Sequence, residues 1–223
     1  MKLALIGKDI SHSKSQDTYE EILNRPVDYT LLDYETEKSI PDLTELFKTN
    51  NFSGLSVTAP YKKYISDRVI NDRFSSELKA VNCVKFYNEK LMGINTDFLA
   101  CLNILTRELP HYEEIIILGN GAMFRTVDLA LRQLDRGHIN YSRSNNGEIE
   151  NLDLSKYKNS LIINSCSRTF NFNGRVSDSS TFWDLNYSHE INQSFLSNQC
   201  EYIDGIELLK LQAIYALEFW GLN

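Results

Sequence analysis

A short apolar run that enters a glycine turn is the feature that most constrains the fold. Glu114 to Leu118 (EIIIL) is apolar at four successive positions, which is typical of a central strand in a parallel sheet. Gly119-Asn120-Gly121 follows, and a helical pattern then extends from Ala122 to Leu134. Such a turn lets backbone amides approach a pyrophosphate at the positive end of the helix, although many such turns are merely tight connections.

The first half of the chain alternates strands with helices, which predicts a parallel sheet. The expected elements, in order, are a strand at Lys2 to Gly7, a helix at Gln16 to Leu23, a strand at Tyr29 to Asp33, a helix at Pro41 to Thr49 and a strand at Gly54 to Val57. Val81 to Asn88 and Lys90 to Thr96 then predict a β-hairpin about Asn88-Glu89.

After the glycine turn, further apolar runs continue the same alternation. Strands are predicted at Ile139 to Ser142, Leu161 to Ser165, Phe182 to Leu185 and Tyr202 to Asp204, and an amphipathic helix at Gly205 to Trp220.

Polar side chains follow the predicted strands where open α/β sheets place their ligands. Lys62 follows the third strand, and Asp97 stands where the N-cap of a helix from Phe98 to Leu109 is expected. If the fold brings them together, an ammonium and a carboxylate can steer a proton beside a carbonyl or hydroxyl. A surface salt bridge is the alternative. Ser13 and Ser15 either cap the first helix or face a polyol or carboxylate.

The strand from Ile139 ends in Ser142-Arg143-Ser144, near where an NAD-binding unit places an acidic residue. An arginine between hydroxyls suits a 2′-phosphate and hence NADP, while a solvated loop arginine is the alternative.

Composition excludes several classes of protein. A net charge of −7 argues against general nucleic-acid binding. No apolar run approaches the ~20 residues of a membrane span, and the first apolar run is too short for a secretory signal. Four cysteines without CxxC spacing favour reduced thiols in the cytoplasm and argue against a structural metal site.

Seven segments, taken in order, resemble the shikimate dehydrogenase family over nearly the whole chain. They are ISHSKS at Ile10 to Ser15, GLSVTAPYK at Gly54 to Lys62, AVNCV at Ala80 to Val84, GINTD at Gly93 to Asp97, ILGNGA at Ile117 to Ala122, INSCS at Ile163 to Ser167 and IDGIELLKLQA at Ile203 to Ala213.

The resemblance implies an α/β fold with two domains. An N-terminal substrate domain with a mixed sheet would span residues 1–98 and be joined by a last helix at 206–223, and a Rossmann-like NADP domain would span 99–205. The family's catalytic pair falls on Lys62 and Asp97. Its substrate-binding positions fall on Ser13, Ser15, Thr58, Asn82, Asp97, Tyr187 and Gln212, and its NADP-binding positions on Gly119, Gly121, Ala122, Ser142, Arg143, Ser144 and Gly205.

The activity implied is the reversible reduction of 3-dehydroshikimate to shikimate by NADPH, in a cytoplasmic monomer or homodimer with no nucleic-acid or membrane partner. The chain departs from the family pattern at several positions. Ser56 replaces an asparagine, Met123 and Phe124 add bulk after the glycine turn, the usual Asn-Arg-Thr is Ser142-Arg143-Ser144, and Glu207 replaces a glycine.

Two alternatives stay open. One is a paralogue that acts on quinate or a related polyol acid, for which Ser56 is the suspect position. The other is a shikimate-binding protein with weakened cofactor binding and little catalysis, motivated by Met123 and Phe124.

Overall fold

The computed structural model describes residues 1–222 and divides into two compact units. Unit 1 contains Met1–Leu99 and the chain from Lys210 onward, and unit 2 contains Ala100–Leu209. Each unit is built around its own β-sheet with helices, so the α/β fold class is confirmed. No helix within the described residues is long and apolar enough to cross a membrane.

Unit 1 is a mixed six-stranded sheet with the strand order β2-β1-β3-β5-β6-β4. Its strands are β1 (Lys2–Gly7), β2 (Asp28–Asp33), β3 (Gly54–Val57), β4 (Ile70–Asn71), β5 (Cys83–Tyr87) and β6 (Lys90–Ile94). Its helices are α1 (Ser15–Leu23), α2 (Leu43–Asn50), α3 (Lys62–Ser66) and α4 (Arg73–Leu78), with a 3-10 turn at Glu37–Ser39.

Alternation along the strands of unit 1 explains why helices cover both faces of the sheet. Ala4 and Ile6 of β1 lie in a core cluster with Leu46 and Phe47 of α2. Leu3, which precedes Ala4 and so points to the opposite face, lies in a second cluster together with residues of α1 and of the last helix. The sheet is therefore buried on both sides, as its parallel strands require.

Two helices pass between the units. The helix α5 (Thr96–Glu108) leaves unit 1, and α9 (Ile206–Trp220) returns to it. Within unit 1, the indole Nε1 of Trp220 donates to the carbonyl of Val84 at 2.9 Å. A Cβ on Gly54 would lie 2.3 Å from the ring of Trp220, so only glycine lets the last helix approach β3 this closely.

Unit 2 is a fully parallel five-stranded sheet with the order β11-β10-β9-β7-β8. Its strands are β7 (Glu114–Leu118), β8 (Ile139–Tyr141), β9 (Ser160–Asn164), β10 (Thr181–Asp184) and β11 (Glu201–Ile203). Its helices are α6 (Ala122–Gln133), α7 (Arg143–Asn146) and α8 (Glu190–Leu196), with a 3-10 turn at Leu109–His111.

The structure corrects some expectations about the elements. The hairpin is confirmed, with Asn88 and Glu89 both at positive φ in its turn. The N-cap assignment of Asp97 is wrong, because α5 begins at Thr96 and the side chain of Asn95 accepts the Phe98 N–H at 3.0 Å. Asp97 lies instead in the first turn, where its negative charge interacts favourably with the helix dipole.

Candidate active site

The polar residues predicted in unit 1 leave the sheet at one edge. The chain runs from β1 outward to β2 and then back to β3 on the other side of β1, so the order reverses between β1 and β3. Ligands of open α/β sheets bind at such a reversal, beyond the carboxyl ends of the strands. The amino end of β5 and the carboxyl end of β6 reach the same edge, because Cys83 pairs with both Ser56 and Ile94.

Lys62 and Asp97 form a close ion pair at this edge. Lys62 is the first residue of α3, and its Nζ lies 2.6 Å from Oδ2 of Asp97. The two side chains are 26% and 15% exposed, so the pair is largely shielded but still open to a small molecule. An exposed surface salt bridge, the alternative from sequence, does not describe this degree of burial.

A hydrogen-bonded network beside the pair joins three elements. Thr96 donates its backbone N–H to Oδ1 of Asn82 at 2.7 Å, and the Asn82 amide donates to the Thr96 hydroxyl at 2.9 Å. The same hydroxyl lies 3.4 Å from Oε1 of Gln212 on α9. The structure therefore brings Asn82 and Gln212 together through Thr96, immediately before Asp97 in the chain.

Two pairs of hydroxyl groups lie in contact in the segment from β1 to α1 and in β3. The Ser13 hydroxyl donates to that of Ser15 at 3.1 Å, and the buried Tyr19 and Ser56 hydroxyls lie 3.0 Å apart. Burial raises the pKa of Tyr29 to about 12, against smaller opposite effects of the Ser56 and Ser15 hydroxyls. The Tyr29 phenol is therefore neutral at ordinary pH, and its buried hydroxyl has no hydrogen-bond partner among the residues that the structure describes.

In unit 2 the glycine turn also lies at a strand reversal, because β7 is flanked by β8 on one side and β9 on the other. Gly119 has a φ of 107°, and its N–H donates to the Tyr141 carbonyl at 2.8 Å. Gly121 is the N-cap of α6, without a side-chain cap, and a Cβ there would meet nothing within 4 Å. The first turn of α6 thus offers uncapped N–H groups toward open space, which suits a phosphate.

A cavity of about 200 Å³ adjoins this turn. It is lined by Gly119, Asn120, Gly121, Arg143, Ile149, Ser165, Cys166, Ser167 and Phe170. Of these nine residues only Arg143 is charged. The Asn120 amide donates to the Ser144 hydroxyl at 2.7 Å, and the Ser142 and Ser144 hydroxyls lie 3.1 Å apart. The glycine turn and the Ser142-Arg143-Ser144 segment are therefore brought together, and they fit the phosphates of a dinucleotide.

The remaining predicted residues occupy other places. Ala122 begins α6, and neither it nor Met123 and Phe124 lines the cavity. The Phe124 ring packs edge-on against His138, with centroids 5.9 Å apart. Tyr187 and Gly205 both lie in unit 2.

Those two residues have identifiable structural contacts. Arg168 lies over the Tyr187 ring at 5.0 Å and donates to its carbonyl at 2.8 Å. A Cβ on Gly205 would lie 2.3 Å from the Leu185 carbonyl oxygen, so tight packing requires a glycine there. Their predicted roles in binding stay predictions.

Sequence reasoning missed three residues at these sites. Thr96 is predicted as the end of a hairpin strand and not as a site residue, although its place before Asp97 is a usable signal. Tyr19 contacts Ser56, which is 37 positions away in sequence. Glu150 binds Arg143 across a loop that contains Gly147. Neither contact produces a local sequence pattern.

Unit 1 has a mixed sheet with a shielded Lys/Asp pair, and unit 2 has a parallel sheet with a glycine turn. Together they define a class of two-unit α/β protein whose second unit resembles nucleotide-binding folds. The family model described as "Shikimate dehydrogenase substrate binding domain" matches residues 5–84. A protein from Clostridium botulinum (strain Loch Maree / Type A3) is named "Shikimate dehydrogenase (NADP(+))". It is 27% identical over an alignment of 257 positions, gaps included, that covers 98% of this chain and 96% of the relative.

Solved structures agree on the fold. The shikimate dehydrogenase from Aquifex aeolicus has a TM-score of 0.79 at 23% identity and covers 99% of this chain and 92% of its own. A quinate dehydrogenase from Corynebacterium glutamicum in complex with NAD has a TM-score of 0.72 at 18% identity, with coverages of 99% and 93%. All three kinds of comparison indicate similarity to one family, that of the shikimate dehydrogenases.

Proposed function

We propose that the chain catalyses the reversible, NADP-dependent reduction of 3-dehydroshikimate to shikimate. The observation that carries the proposal is the 2.6 Å contact between Lys62 and Asp97 at the ligand-binding edge of the unit 1 sheet. The name of the Clostridium relative, which specifies shikimate and NADP(+), supports the substrate and the cofactor.

Reduction of a ketone adds a hydride to the carbon and a proton to the oxygen. NADPH, when bound, supplies the hydride. Lys62 hydrogen-bonds the oxygen as negative charge develops on it and delivers the proton from Nζ, and the same nitrogen takes the proton back during oxidation. Asp97 holds the ammonium in place through its Oδ2 and accepts a hydrogen bond from a neighbouring substrate hydroxyl.

The other polar groups of unit 1 bind and orient the substrate. Ser13, Ser15 and Thr58 supply hydroxyls for the carboxylate and the ring hydroxyls, and Asn82 and Gln212 are fixed by Thr96. A largely buried set of donors and acceptors disfavours analogues that leave a member unpaired. Tyr187 is proposed to line the substrate and Gly205 the nicotinamide.

Unit 2 binds the cofactor in this proposal. The uncapped start of α6, which follows Gly119 and Gly121, receives the pyrophosphate, and Arg143 with Ser142 and Ser144 receives the adenosine phosphate. Ala122 contributes its backbone at the first position of the helix. These residues bind and orient the dinucleotide and take no part in proton transfer.

A second candidate is the oxidation of quinate or a related polyol acid. The specific observation in its favour is at Ser56, where the family pattern has an asparagine. The Ser56 hydroxyl contacts the Tyr19 hydroxyl, so a pair of hydroxyls lies where the family has an amide. The structural similarity to a quinate dehydrogenase is compatible with this candidate but reflects the fold alone.

The test is the initial rate of NADP reduction by purified protein with shikimate at mildly alkaline pH, beside quinate and beside NAD. We expect turnover with shikimate and NADP to exceed the rate with quinate. Faster oxidation of quinate would favour the second candidate. Absence of turnover with every substrate and cofactor pair, together with a rise in melting temperature on adding shikimate, would show that the chain binds shikimate without catalysing its oxidation.

A further inference from the structure

The guanidinium of Arg143, which lines the unit 2 cavity, forms a salt bridge with an acidic residue, Glu150. Oε1 of Glu150 accepts hydrogen bonds from Nε of Arg143 at 2.9 Å and from its Nη2. Oε2 of Glu150 accepts the backbone N–H of Ile149 at 2.9 Å. Both carboxylate oxygens therefore have N–H donors, and one edge of the guanidinium is already bound.

Glu150 is the more firmly held partner of the pair. Its side chain is 22% exposed whereas that of Arg143 is 66% exposed, and its carbonyl accepts the Asn173 N–H at 2.7 Å. The hydrogen bond from Arg143 lowers the pKa of Glu150, so the carboxylate is ionised at neutral pH. An incoming anion thus meets a neutralised arginine beside a fixed negative charge.

NADP and NAD differ in charge at the 2′ position of the adenosine ribose. A 2′-phosphate needs the donors of Arg143 and carries up to two negative charges, so Glu150 both competes for the guanidinium and repels the ligand. A free ribose hydroxyl has no such conflict and can donate to a carboxylate. The balance between the two nucleotides therefore depends on Glu150 as well as on Arg143.

We propose that Glu150 is a specificity-determining residue that lowers the preference of this chain for 2′-phosphorylated nucleotides, and hence for NADP over NAD. The inference rests on the proposed function, because it assumes that the cavity beside the glycine turn holds the adenosine end of the cofactor. It adds an acidic residue to a cofactor site whose residues predicted from sequence, such as Ser142, Arg143 and Ser144, are all uncharged or basic.

The test compares two ligands that differ only in the 2′-phosphate, 2′,5′-ADP and 5′-AMP, by isothermal titration calorimetry. We expect Glu150→Gln to tighten 2′,5′-ADP binding about tenfold and to leave 5′-AMP within about twofold. The matched control is Glu148→Gln, which removes the same charge at an exposed position two residues away and is expected to change neither affinity. An unchanged affinity ratio in Glu150→Gln would overturn the inference.

A third variant checks the role of the arginine. Arg143→Ala should weaken 2′,5′-ADP more than 5′-AMP, and equal losses would show that Arg143 does not bind the phosphate, which also overturns the inference. Failure of 2′,5′-ADP to bind to any variant has the same consequence. Failure of the dehydrogenase proposal is seen separately, as an absence of shikimate oxidation in a protein that still shows the expected binding ratio.

Discussion

Lys62 and Lys63 are adjacent on α3 and offer a matched comparison of two lysines. Lys62 contacts Asp97, whereas Lys63 is exposed. We expect Lys62→Ala to lower kcat by about 10²–10⁴, because it removes the group that donates the proton and stabilises the developing oxyanion. The measurement is the steady-state rate of shikimate oxidation with NADP.

Lys63→Ala is expected to keep the rate of the original protein. Circular dichroism and thermal melting of both variants check that α3 still forms. A Lys62→Ala enzyme with unchanged kcat would remove Lys62 from the mechanism, and an equal loss in both variants would indicate a general effect of charge or folding instead.

Sequence predicts a site residue well when its place at the end of a strand determines its role. It does not predict a role that depends on which distant side chain the residue contacts. Lys62 and Asp97 each follow a predicted strand, the family resemblance makes them a pair, and in the structure they lie in contact. Asp97 was given the wrong helix position, because the cap depends on whether Asn95 turns its side chain toward the Phe98 N–H. The pairing of Glu150 with Arg143 depends on the path of a loop, which no periodicity specifies.

At the scale of elements, the close contact between β3 and α9 gives a sharp test. A Cβ at position 54 would lie 2.3 Å from ring atoms of Trp220, a rigid side chain held by its hydrogen bond to Val84. We expect Gly54→Ala to lower the free energy of unfolding by roughly 1–3 kcal/mol, as overpacking in a dense core does. Urea unfolding followed by fluorescence measures the change.

Gly137→Ala is the control, because a Cβ there would meet no atom within 4 Å. Its effect should stay within about 0.5 kcal/mol. If the contact with Trp220 is the cause, Gly54→Ala combined with Trp220→Leu should cost less than the sum of the two single changes. Strict additivity would show that the strain lies elsewhere.

Apolar strands and the longer helices were predictable, and the short helices were not. The run EIIIL specified β7, and both faces of that strand are buried, as a central parallel strand requires. Helices such as α3 (five residues) and α4 (six residues) were not predicted, because one or two turns give too few positions for a period to be visible.

At the scale of the whole molecule, each unit has a separate ligand site in the proposed function. We expect shikimate to slow amide hydrogen exchange in unit 1 at residues 56–62 and 93–98, and 2′,5′-ADP to slow it in unit 2 at residues 117–124 and 141–150. Hydrogen-exchange mass spectrometry resolves these peptides. Cyclohexanecarboxylate, which lacks the ring hydroxyls of shikimate, serves as the control ligand.

The reverse pattern, with shikimate protecting only the segment around Gly119, would contradict the assignment of the substrate to unit 1. Protection of both units by cyclohexanecarboxylate would indicate a nonspecific effect of the carboxylate rather than recognition by the hydroxyl set.

The route of α9 has a consequence for the order in which the protein is completed on the ribosome. The core of unit 1 packs Leu3 and Cys83 against Ala213, Leu217 and Trp220, which are synthesised after unit 2. Unit 2 is one continuous segment, Ala100–Leu209, and all of it is translated before that helix ends. Although synthesis proceeds from the N-terminus, unit 2 can finish folding first. Unit 1, which is begun before unit 2, keeps part of one face of its sheet uncovered until α9 emerges from the exit tunnel.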